Sequence, residues 1–551
     1  GQTRNIAPEA VRSGKYRFVR TVPVLFSPLD PKALYFCGNV VFKTTTGGAS
    51  WEVISPDLTR EQYDVPANIG VYRNDKMKTM PRRGVIYSLA PSYTDVHTLW
   101  AGTDDGLVHV TFDDGKTWKN ITPPALQSWS KVAQIDAGRF SIMTAYVAVN
   151  AIRLDDMRPH IYKTTDGGAT WKEIVQGLPA EPVNTVREDP VRPGLLYAGT
   201  ERAVYVSFDD GEHWQSLRLN MPATSIRDLV VKDDDLVIGT HGRSFWILDN
   251  VTPLRQIAAG TTSQPAVLFT PQTAIRVRWG MYTDTPMPQE EPGGQNPPDG
   301  AAIDYYLQQE TALVTLKIYD SRQQLVAQFS NQDKPYDIGE QNIPLYWIRP
   351  QQMLSGKAGA HRFLWDMHYD RIPETPSYPM SAVYRNTAPY PNAPWVMPGT
   401  YTITLTAGET TISKQLTVKM DPRVTTSTAD LQAQHDLSLT CYLIKKELLP
   451  VRMEWEGWAK EIDVALARAG AKNKAALEDF RKKGAAIGLD AALSDAEQLY
   501  YILHDTDMPP TSQARTGVAQ LQQKREAALK AWASFRSTEL PKLRKLLRSL
   551  R

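Results

Sequence analysis

Three carboxylates lie in predicted turns between short strand-like runs, and turns on a rigid scaffold often present catalytic groups. Asp104 and Asp105 belong to the stretch GTDDG, and Glu201 belongs to GTERA. Two carboxylates can hydrolyse a glycosidic bond when they lie ~5 to 5.5 Å apart for retention or ~6.5 to 9.5 Å apart for inversion. Asp104, Asp105 and Glu201 are therefore the candidate catalytic residues of a glycoside hydrolase.

Candidate binding residues occupy the same kind of turn in neighbouring stretches. They are Asn39 in CGNVV, Arg153, Arg202 in GTERA, and His241 and Arg243 in GTHGR. A noncatalytic protein can use such side chains to recognise a peptide or a glycan, and converging arginines can hold a carboxylate. Hydrolysis and binding both stay open at this point.

The scaffold behind these turns is indicated by an eight-residue stretch that occurs four times. TTTGGASW, TFDDGKTW, TTDGGATW and SFDDGEHW each follow a strand-like run, and we call them boxes 1 to 4. The Asp of a box can accept a hydrogen bond from the backbone N–H two residues on, and its Gly allows a tight turn. The final Trp is expected to pack between neighbouring sheets. The predicted structural residues are Asp113, Asp166, Asp209, Trp51, Trp118, Trp171 and Trp214.

The repeating unit around each box has the size of a propeller blade. Two short strand-like stretches around a turn precede each box, as in LLYAGTERAVYVS before box 4. With the strand after the box, this predicts an antiparallel sheet of about four strands in ~40 to 50 residues. A fifth unit, LVIGTHGRSFWIL, has the paired strands and no box. We predict an N-terminal extension over residues 1–15 and about five propeller blades over residues 16–254.

Neither a metal site nor a cofactor site is indicated. A calcium loop needs acidic ligands at alternating positions and a distal Glu, whereas boxes 2 to 4 offer one or two Asp and box 1 has Thr46 at the Asp position. The two cysteines, Cys37 and Cys441, have no metal-ligand spacing. A formal net charge of +2 over 551 residues gives no reason to expect nucleic acid as a partner. No apolar run approaches the ~20 residues of a membrane span.

The boxes resemble a known family. The pattern S/T-x-D-x-G-x-T-W is similar to the Asp-box, or BNR repeat, of sialidases, xyloglucanase-type glycoside hydrolases and sortilin-like propellers. The stretches YRFVRTVPVLFSPLDP, WEVISPDLTRE and GTHGRSFWILDN look like those of large bacterial secreted proteins described as sortilin-like or exosialidase-like. The resemblance implies a secreted, periplasmic or cell-surface location. It also implies that further blades, on an N-terminal part or on another chain, are a partner that completes the propeller.

After the blades the pattern becomes that of a second β domain. Residues 255–422 predict an antiparallel β-sandwich with a Pro/Gly-rich loop at 284–300. This domain resembles the immunoglobulin-like modules of secreted bacterial enzymes. A hairpin near its end places Tyr401, Ile403 and Leu405 on one face. The predicted fold class is therefore mainly β.

The last part of the chain, residues 423–551, has helix-former composition and predicts a helical bundle. Ser427-x-x-Asp430 and Ser494-x-x-Glu497 are the predicted capping boxes at two helix starts.

The sequence contains no G-x-S-x-G, H-E-x-x-H or P-loop motif that would indicate an enzyme class. The pattern therefore favours a secreted binding or scaffold propeller that recognises a peptide or a glycan on the loop face opposite the boxes. The alternative is a sialidase-like or xyloglucanase-like glycoside hydrolase that uses paired carboxylates on that face.

Overall fold

The computed structural model describes residues 2–9, 11–63, 65–278, 294, 297–379 and 385–550. The chain divides into two compact units, Gly1–Ala258 and Ala259–Arg551. No helix in the described part of the chain is both long enough and apolar enough to cross a membrane.

Unit 1 consists of five successive antiparallel sheets, which we call blades 1 to 5. Blade 1 contains β1 (Val24–Phe26), β2 (Leu34–Cys37), β3 (Val41–Thr44) and β4 (Glu52–Val53). Blade 2 contains β5 (Ile86–Pro91), β6 (Leu99–Thr103), β7 (Val108–Thr111) and β8 (Lys119–Asn120). Blade 3 contains β9 (Lys131–Ala137), β10 (Ala145–Asn150), β11 (His160–Thr164) and β12 (Lys172–Glu173). Blade 4 contains β13 (Val183–Glu188), β14 (Leu196–Thr200), β15 (Val204–Ser207) and β16 (Gln215–Ser216), and blade 5 contains β17 (Ile226–Lys232), β18 (Asp235–Thr240) and β19 (Phe245–Leu248).

Strands that follow one another in the chain are also neighbours in each blade. Each box joins the third strand of its blade to the fourth, and blade 5 has three strands and no box. The predicted repeating unit is therefore confirmed. A short helix, α1 (Thr252–Gln256), follows blade 5.

Consecutive blades pack face to face through apolar side chains. Tyr35 of blade 1 shares a core with Ile86 of blade 2, and Ile161 of blade 3 shares one with Val186 of blade 4. Burial of each such side chain stabilises the fold by roughly 1.5 to 3 kcal/mol. Among the described residues, no strand of blade 1 pairs with a strand of blade 5. The blades thus form a series in which blade 5 is the last member.

The box turn is closed by side-chain hydrogen bonds that repeat from blade to blade. In box 3, the backbone N–H and the hydroxyl of Thr170 both donate to the Asp166 carboxylate, at 2.9 and 2.6 Å, and Thr164 donates to it at 2.8 Å. These bonds lower the pKa of Asp166 to about 2. The predicted acceptor role is right, but the donor lies four residues on rather than two, because two turn residues with positive φ, Gly167 and Gly168, lengthen the loop.

The Trp of each box makes a contact that we call the box clamp: in boxes 2 to 4 it fastens the blade to the preceding one, and in box 1 it fastens blade 1 to the N-terminal segment. The indole Nε1 of Trp118 donates to the carbonyl of Ile54 at 2.9 Å, and that of Trp171 donates to Ile121 at 2.7 Å. Trp214 donates in the same way to Ile174 at 2.8 Å, and Trp51 donates to Ile6 at 2.7 Å.

The Gly of each box lies against the Ile whose carbonyl accepts the hydrogen bond from the Trp of that box. A Cβ on Gly168, whose φ is +85°, would lie 2.5 Å from the Ile121 side chain. A Cβ on Gly48, whose φ is +80°, would lie 2.5 Å from Ile6. Ile6 therefore takes, in front of blade 1, the position that Ile121 takes in front of blade 3.

Unit 2 combines two sheets with helices. A three-stranded sheet has the order β20 (Ala266–Leu268), β22 (Ala301–Leu307), β25 (Gly359–Trp365). A five-stranded sheet has the order β21 (Ala274–Arg276), β27 (Thr410–Met420), β26 (Gly399–Ala407), β23 (Val314–Tyr319), β24 (Leu325–Ser330). The helices are α2 (Thr428–Leu466), α3 (Ala471–Ala485), α4 (Leu489–His504), α5 (Ser512–Thr538) and α6 (Leu540–Ser549).

The two sheets enclose one apolar core, in which Ile303, Phe363 and Leu316 are buried. Strands β26 and β27 form the predicted hairpin, with Tyr401 and Ile403 directed into that core. One pair is parallel, β21 with β27. The immunoglobulin-like topology stays a prediction, and the predicted loop at 284–300 falls mainly outside the described residues.

The helix starts agree with the sequence in one case and differ in the other. Ser427 caps α2 by accepting a hydrogen bond from the backbone N–H of Asp430 at 3.1 Å. The predicted cap at Ser494 is wrong, because α4 already begins at Leu489 and Ser494 lies inside it. Helix α2 also continues through Pro450.

Candidate functional site on the loop face

Blade strands alternate in direction, so the boxes lie on one face and the turns between second and third strands lie on the other. We call the second face the loop face. The segments that join one blade to the next also end there, because the first strand of each blade starts on that face. Loops gathered on one side of a rigid scaffold are a common location for binding and catalytic groups.

Two of the sequence-predicted residues anchor the long segment that joins blades 1 and 2. Asp105 is 1% exposed, and its Oδ2 accepts a hydrogen bond from the backbone N–H of Arg60 at 2.9 Å. Asn39 is 4% exposed; its Oδ1 accepts from the backbone N–H of Arg17 at 2.8 Å and its Nδ2 donates to Asp57 at 2.9 Å. The structure thus gives Asp105 and Asn39 partners within the fold.

Asp104 is half-buried at the turn between β6 and β7. Its Oδ1 accepts a hydrogen bond from the backbone N–H of Val85 at 2.8 Å. Burial raises the pKa of Asp104 above its ordinary value, while the Val85 N–H and the positive charge of Arg153 act in the opposite direction. A raised pKa brings a carboxyl group closer to the range of a general acid than an ordinary Asp.

Glu201, at the turn between β14 and β15, is held by amide and guanidinium donors. Its Oε1 accepts from Asn184 Nδ2 at 3.0 Å and from Arg227 Nη1 at 3.3 Å. Asn150 connects to the same group, because its Nδ2 donates to Asn184 Oδ1 at 2.7 Å. Burial alone would raise the pKa of Glu201, but donors at Ser225 and Asn184 and the charge of Arg227 lower it. Glu201 is therefore ionised at neutral pH.

Three cations from blades 3 and 5 belong to the same cluster as this carboxylate. Lys131 starts the first strand of blade 3, Arg227 lies in the first strand of blade 5, and Arg153 lies in the exposed loop between β10 and β11. The Lys131 ammonium lies 4.8 Å from the centre of the Tyr87 ring, a cation–π contact. Burial, followed by the positive charges of Arg153 and Arg227, lowers the pKa of Lys131. We call Tyr87, Lys131, Arg153, Glu201 and Arg227 the loop-face site.

Two aromatic rings lie in the segments that lead into blades 2 and 3. Tyr63 and Trp129 meet edge to face with ring centres 4.9 Å apart, and the Arg83 guanidinium lies 5.6 Å from the Tyr63 ring. Trp129 stands two residues before Lys131 in the segment that leads into blade 3. Aromatic rings beside polar groups suit the stacking of sugars and peptide side chains.

Sequence reasoning found Glu201, Arg153 and Asp104 but missed Lys131, Arg227 and Trp129. Lys131 and Arg227 belong to the first strands of their blades, where the sequence gives no reason to distinguish a charged residue from an ordinary solvent-facing one. The available signal was positional, because the start of a first strand always lies on the loop face.

The other predicted binding residues are exposed on the same face. Arg202 lies 3.8 Å from Glu181, and its side chain is 71% exposed. His241 and Arg243 occupy the turn between β18 and β19, where the Arg243 carbonyl accepts from Trp246 Nε1 at 3.0 Å. Within the described ranges, no group of three or more His, Cys, Asp or Glu side chains is arranged to hold a metal ion.

Comparisons with known proteins yielded structural similarities only. No family model and no curated protein matches the chain. Among solved structures, the GH74 xyloglucanase from Xanthomonas campestris is similar at 17% identity and a TM-score of 0.30, over 41% of this chain and 36% of that chain. The β-propeller domain of Myceliophteria thermophila Cps50 (Swd1) is similar at 13% identity and a TM-score of 0.30, over 42% of this chain and 65% of that chain.

A third solved structure, YCF48 bound to D1 peptide, is similar at 15% identity and a TM-score of 0.22, over 46% of this chain and 87% of that chain. The first two similarities span less than two thirds of the solved chains. Similarities at these levels carry no information about what this chain binds or transforms.

Proposed function

We propose that this protein is a secreted binding or scaffold propeller that recognises an anionic group of a glycan or a peptide on its loop face. The supporting observation is the loop-face site, in which Lys131 lies near Arg153, Arg227 and Glu201, and Arg227 also donates to Glu201. The three cations outnumber the two neighbouring carboxyl groups, Glu201 and Asp104, and a desolvated cation favours an anionic ligand. The nearby Tyr63–Trp129 pair offers rings for stacking.

The finer parts of this proposal follow from the family resemblance. They are an Asp-box propeller in unit 1, an immunoglobulin-like sandwich in unit 2, and a bacterial periplasmic, secreted or cell-surface location. The repeated hydrogen bonds of the box turns support the first of these.

The test is a binding screen against glycans and peptides with and without carboxylate groups. Arg153→Ala should weaken the binding of a carboxylated ligand by at least about tenfold, because one charge-assisted hydrogen bond contributes ~1.5 to 3 kcal/mol. Lys116→Ala is the matched control, since it removes one exposed charge from box 2 on the opposite face. Equal affinities for the parent and the Arg153 variant, or binding that ignores the carboxylate, would contradict the proposed site.

A second candidate function is glycoside hydrolysis, which one observation favours. The pKa of Asp104 is raised and that of Glu201 is lowered, and both carboxylates lie near cations of the same site. Environments that separate the pKa values of two carboxyl groups are typical of an acid and a nucleophile or base. Turnover of a sialoside or of xyloglucan that Glu201→Gln abolishes without lowering Tm would establish this alternative over binding.

A further inference from the structure

Within the described residues, blade 5 lacks the fourth strand that completes the sheet in each of blades 1 to 4. In blades 1 to 4, the segment W-x-x-I or W-x-x-L supplies the box Trp, the short fourth strand and one aliphatic residue: Trp51 to Ile54, Trp118 to Ile121, Trp171 to Ile174, and Trp214 to Leu217. The aliphatic residue pairs with the start of the third strand. Its backbone N–H donates to a carbonyl there at 2.8 to 2.9 Å, as from Leu217 to Val204 and from Ile121 to Val108.

The place of this segment is open in blade 5. Strand β19 pairs with β18, and no further strand of the described chain pairs with its other edge. A cleft of about 40 Å³ lies beside that edge. Its lining includes Leu217 and Met221 from the end of blade 4 and Ile238, Trp246 and Leu248 from blade 5.

The positions of β19 correspond to those of β15 in blade 4. Phe245 pairs with the Gly239 of β18, as Val204 pairs with the Gly199 of β14. Phe245 is 78% exposed, whereas Val204 is fully buried. Ile247, two residues on in β19, is 56% exposed. Val204 is covered by blade 5 in a shared core, so the exposure of Phe245 and Ile247 marks the outer face of blade 5 as uncovered, next to its open edge.

We propose that the open edge of β19 is a docking site for an extended segment of a partner polypeptide, which adds to blade 5 as its fourth strand. The segment has the chemistry of the four internal examples, an aromatic residue followed three positions later by an aliphatic one. The aromatic ring enters the cleft above Leu217, whose carbonyl is the next acceptor in the series of box clamps. The aliphatic residue donates its backbone N–H to Phe245, as Leu217 does to Val204. Strand addition of this kind takes affinity from main-chain bonds and specificity from side-chain pockets.

Contacts within the chain favour a separate polypeptide over a second copy of the chain and over the N-terminal segment that contains Ile6. A second copy of the chain presents its four W-x-x-I/L segments already paired in blades 1 to 4. The N-terminal segment that contains Ile6 is already engaged, because the Ile6 carbonyl accepts from Trp51 and its side chain lies against Gly48. This docking surface is distinct from the loop-face site, and neither proposal depends on the other.

The experiment uses the full chain and the synthetic peptide TWKNITPP, which copies residues 117–124. At saturation, the peptide should slow amide hydrogen exchange in residues 245–248 by at least about tenfold, because the edge N–H groups become bonded. A peptide that is N-methylated at its Ile, and one with Ala in place of its Trp, should each bind at least about tenfold more weakly.

The matched protein variant is Ile247→Pro, which removes one edge N–H while a circular dichroism melt checks that the fold is retained. It should lose peptide binding and keep the ligand affinity of the loop face. Absence of protection at peptide concentrations up to about 1 mM would overturn the proposal. Protection without peptide would also overturn it: if independent of protein concentration it would identify the chain's own segment as the occupant, and if concentration-dependent a second copy.

Discussion

The contacts that stabilise unit 1 internally differ in kind from those that stabilise unit 2. Blades 1 to 4 use the box clamp four times, each time with a Trp that reaches the backbone carbonyl of an Ile. One of the connections between the β part and the helices of unit 2 is a cluster that has no repeat. We call this the junction cluster; it contains Arg276, Arg278, His368, Trp395, His504 and Asp507.

The junction cluster relies on buried charge and imidazole rather than on a repeated turn. Asp507, which follows α4, accepts hydrogen bonds from Arg276 and from Arg278. The Nε2 atoms of His368 and His504 lie 3.3 Å apart. A fold that repeats the box clamp four times tolerates the loss of one clamp, whereas a buried ionic cluster depends on each of its charges. The comparison therefore predicts that single substitutions affect unit 2 more than unit 1.

The largest expected effect is that of Asp507→Ala. The substitution leaves two guanidinium groups without their carboxylate, and Arg276 is 3% exposed. Removing one partner of a buried ion pair typically costs ~3 to 5 kcal/mol of unfolding free energy. Denaturant unfolding with hydrogen exchange in α4 measures the loss in unit 2. Asp505→Ala, which removes an exposed carboxylate at the end of the same helix, is the control and should change the free energy by less than ~0.5 kcal/mol.

The next effect is that of Trp214→Ala, which removes the most buried of the clamp tryptophans. Trp214 is 4% exposed, so the loss should be about 3 kcal/mol, at the lower end of the range for large aromatic truncations. Trp51→Ala should cost less, because that ring is only half-buried. Equal losses for the two substitutions, measured in unit 1 by hydrogen exchange, would show that ring burial does not set the strength of the clamp.

The same comparison explains how far the sequence could predict the structure. The box turns were predictable because every contact that closes them, such as Thr170 to Asp166, lies within eight residues. The clamp acceptors were not, because nothing local marks Ile54 as the partner of Trp118. The junction cluster was still less accessible, since Arg276 and Asp507 are 231 residues apart and belong to no repeat.

The candidate site follows the same rule. Glu201 and Arg153 were found because they stand in turns, where a charged residue is read as functional. Lys131 and Arg227 were missed because only the spatial order of the blades brings their first strands together around Glu201. Ser494 was misread as a cap because an S-x-x-E pattern in a helix interior has the same letters as one at a helix start.

A smaller effect is expected from acid. Burial lowers the pKa of His368 and of His504, so both are neutral in the folded protein, whereas an unfolded His titrates near ~6.5. Because the folded pKa is lower than the unfolded one, the unfolded chain binds more protons than the folded chain below pH ~6.5. The free energy of unfolding therefore decreases as the pH is lowered through this range. Unit 2 should therefore lose stability as the pH falls from 7 to 5.5, which denaturant unfolding at each pH measures.

The neighbouring charges act on the His pair in both directions, and one residue of unit 1 sets the reference. Arg276 and Arg278 oppose protonation of the His pair, while the Asp366 carboxylate favours it at His368. In unit 1, burial lowers the pKa of His109 to about 4, so that unit also loses some stability. His504→Gln should flatten the pH dependence of unit 2 and leave that of unit 1 unchanged. An unchanged slope in unit 2 would mean that the His pair is not the titrating group.

The smallest effect, and the sharpest test of the repeat, is Thr46→Asp in box 1. Thr46 stands where the other boxes have Asp, and its hydroxyl accepts from the backbone N–H of Ser50 at 3.0 Å. An Asp there can accept from both the N–H and the hydroxyl of Ser50, as Asp113 does from Thr117 at 2.9 and 2.6 Å. We therefore expect a small rise in Tm, and Thr46→Asn is the uncharged control.

The pH dependence of that rise identifies its cause. Hydrogen bonds lower the pKa of Asp113 to about 2, below the ~3.9 of an unfolded Asp. A carboxyl whose folded pKa is depressed stabilises the fold fully above its unfolded pKa and loses that contribution as pH falls through the folded value. The advantage of Thr46→Asp should therefore be constant above about pH 4 and vanish toward pH 2, as thermal melts over this range would measure. An advantage that Thr46→Asn shares at every pH would instead come from the shape of the turn.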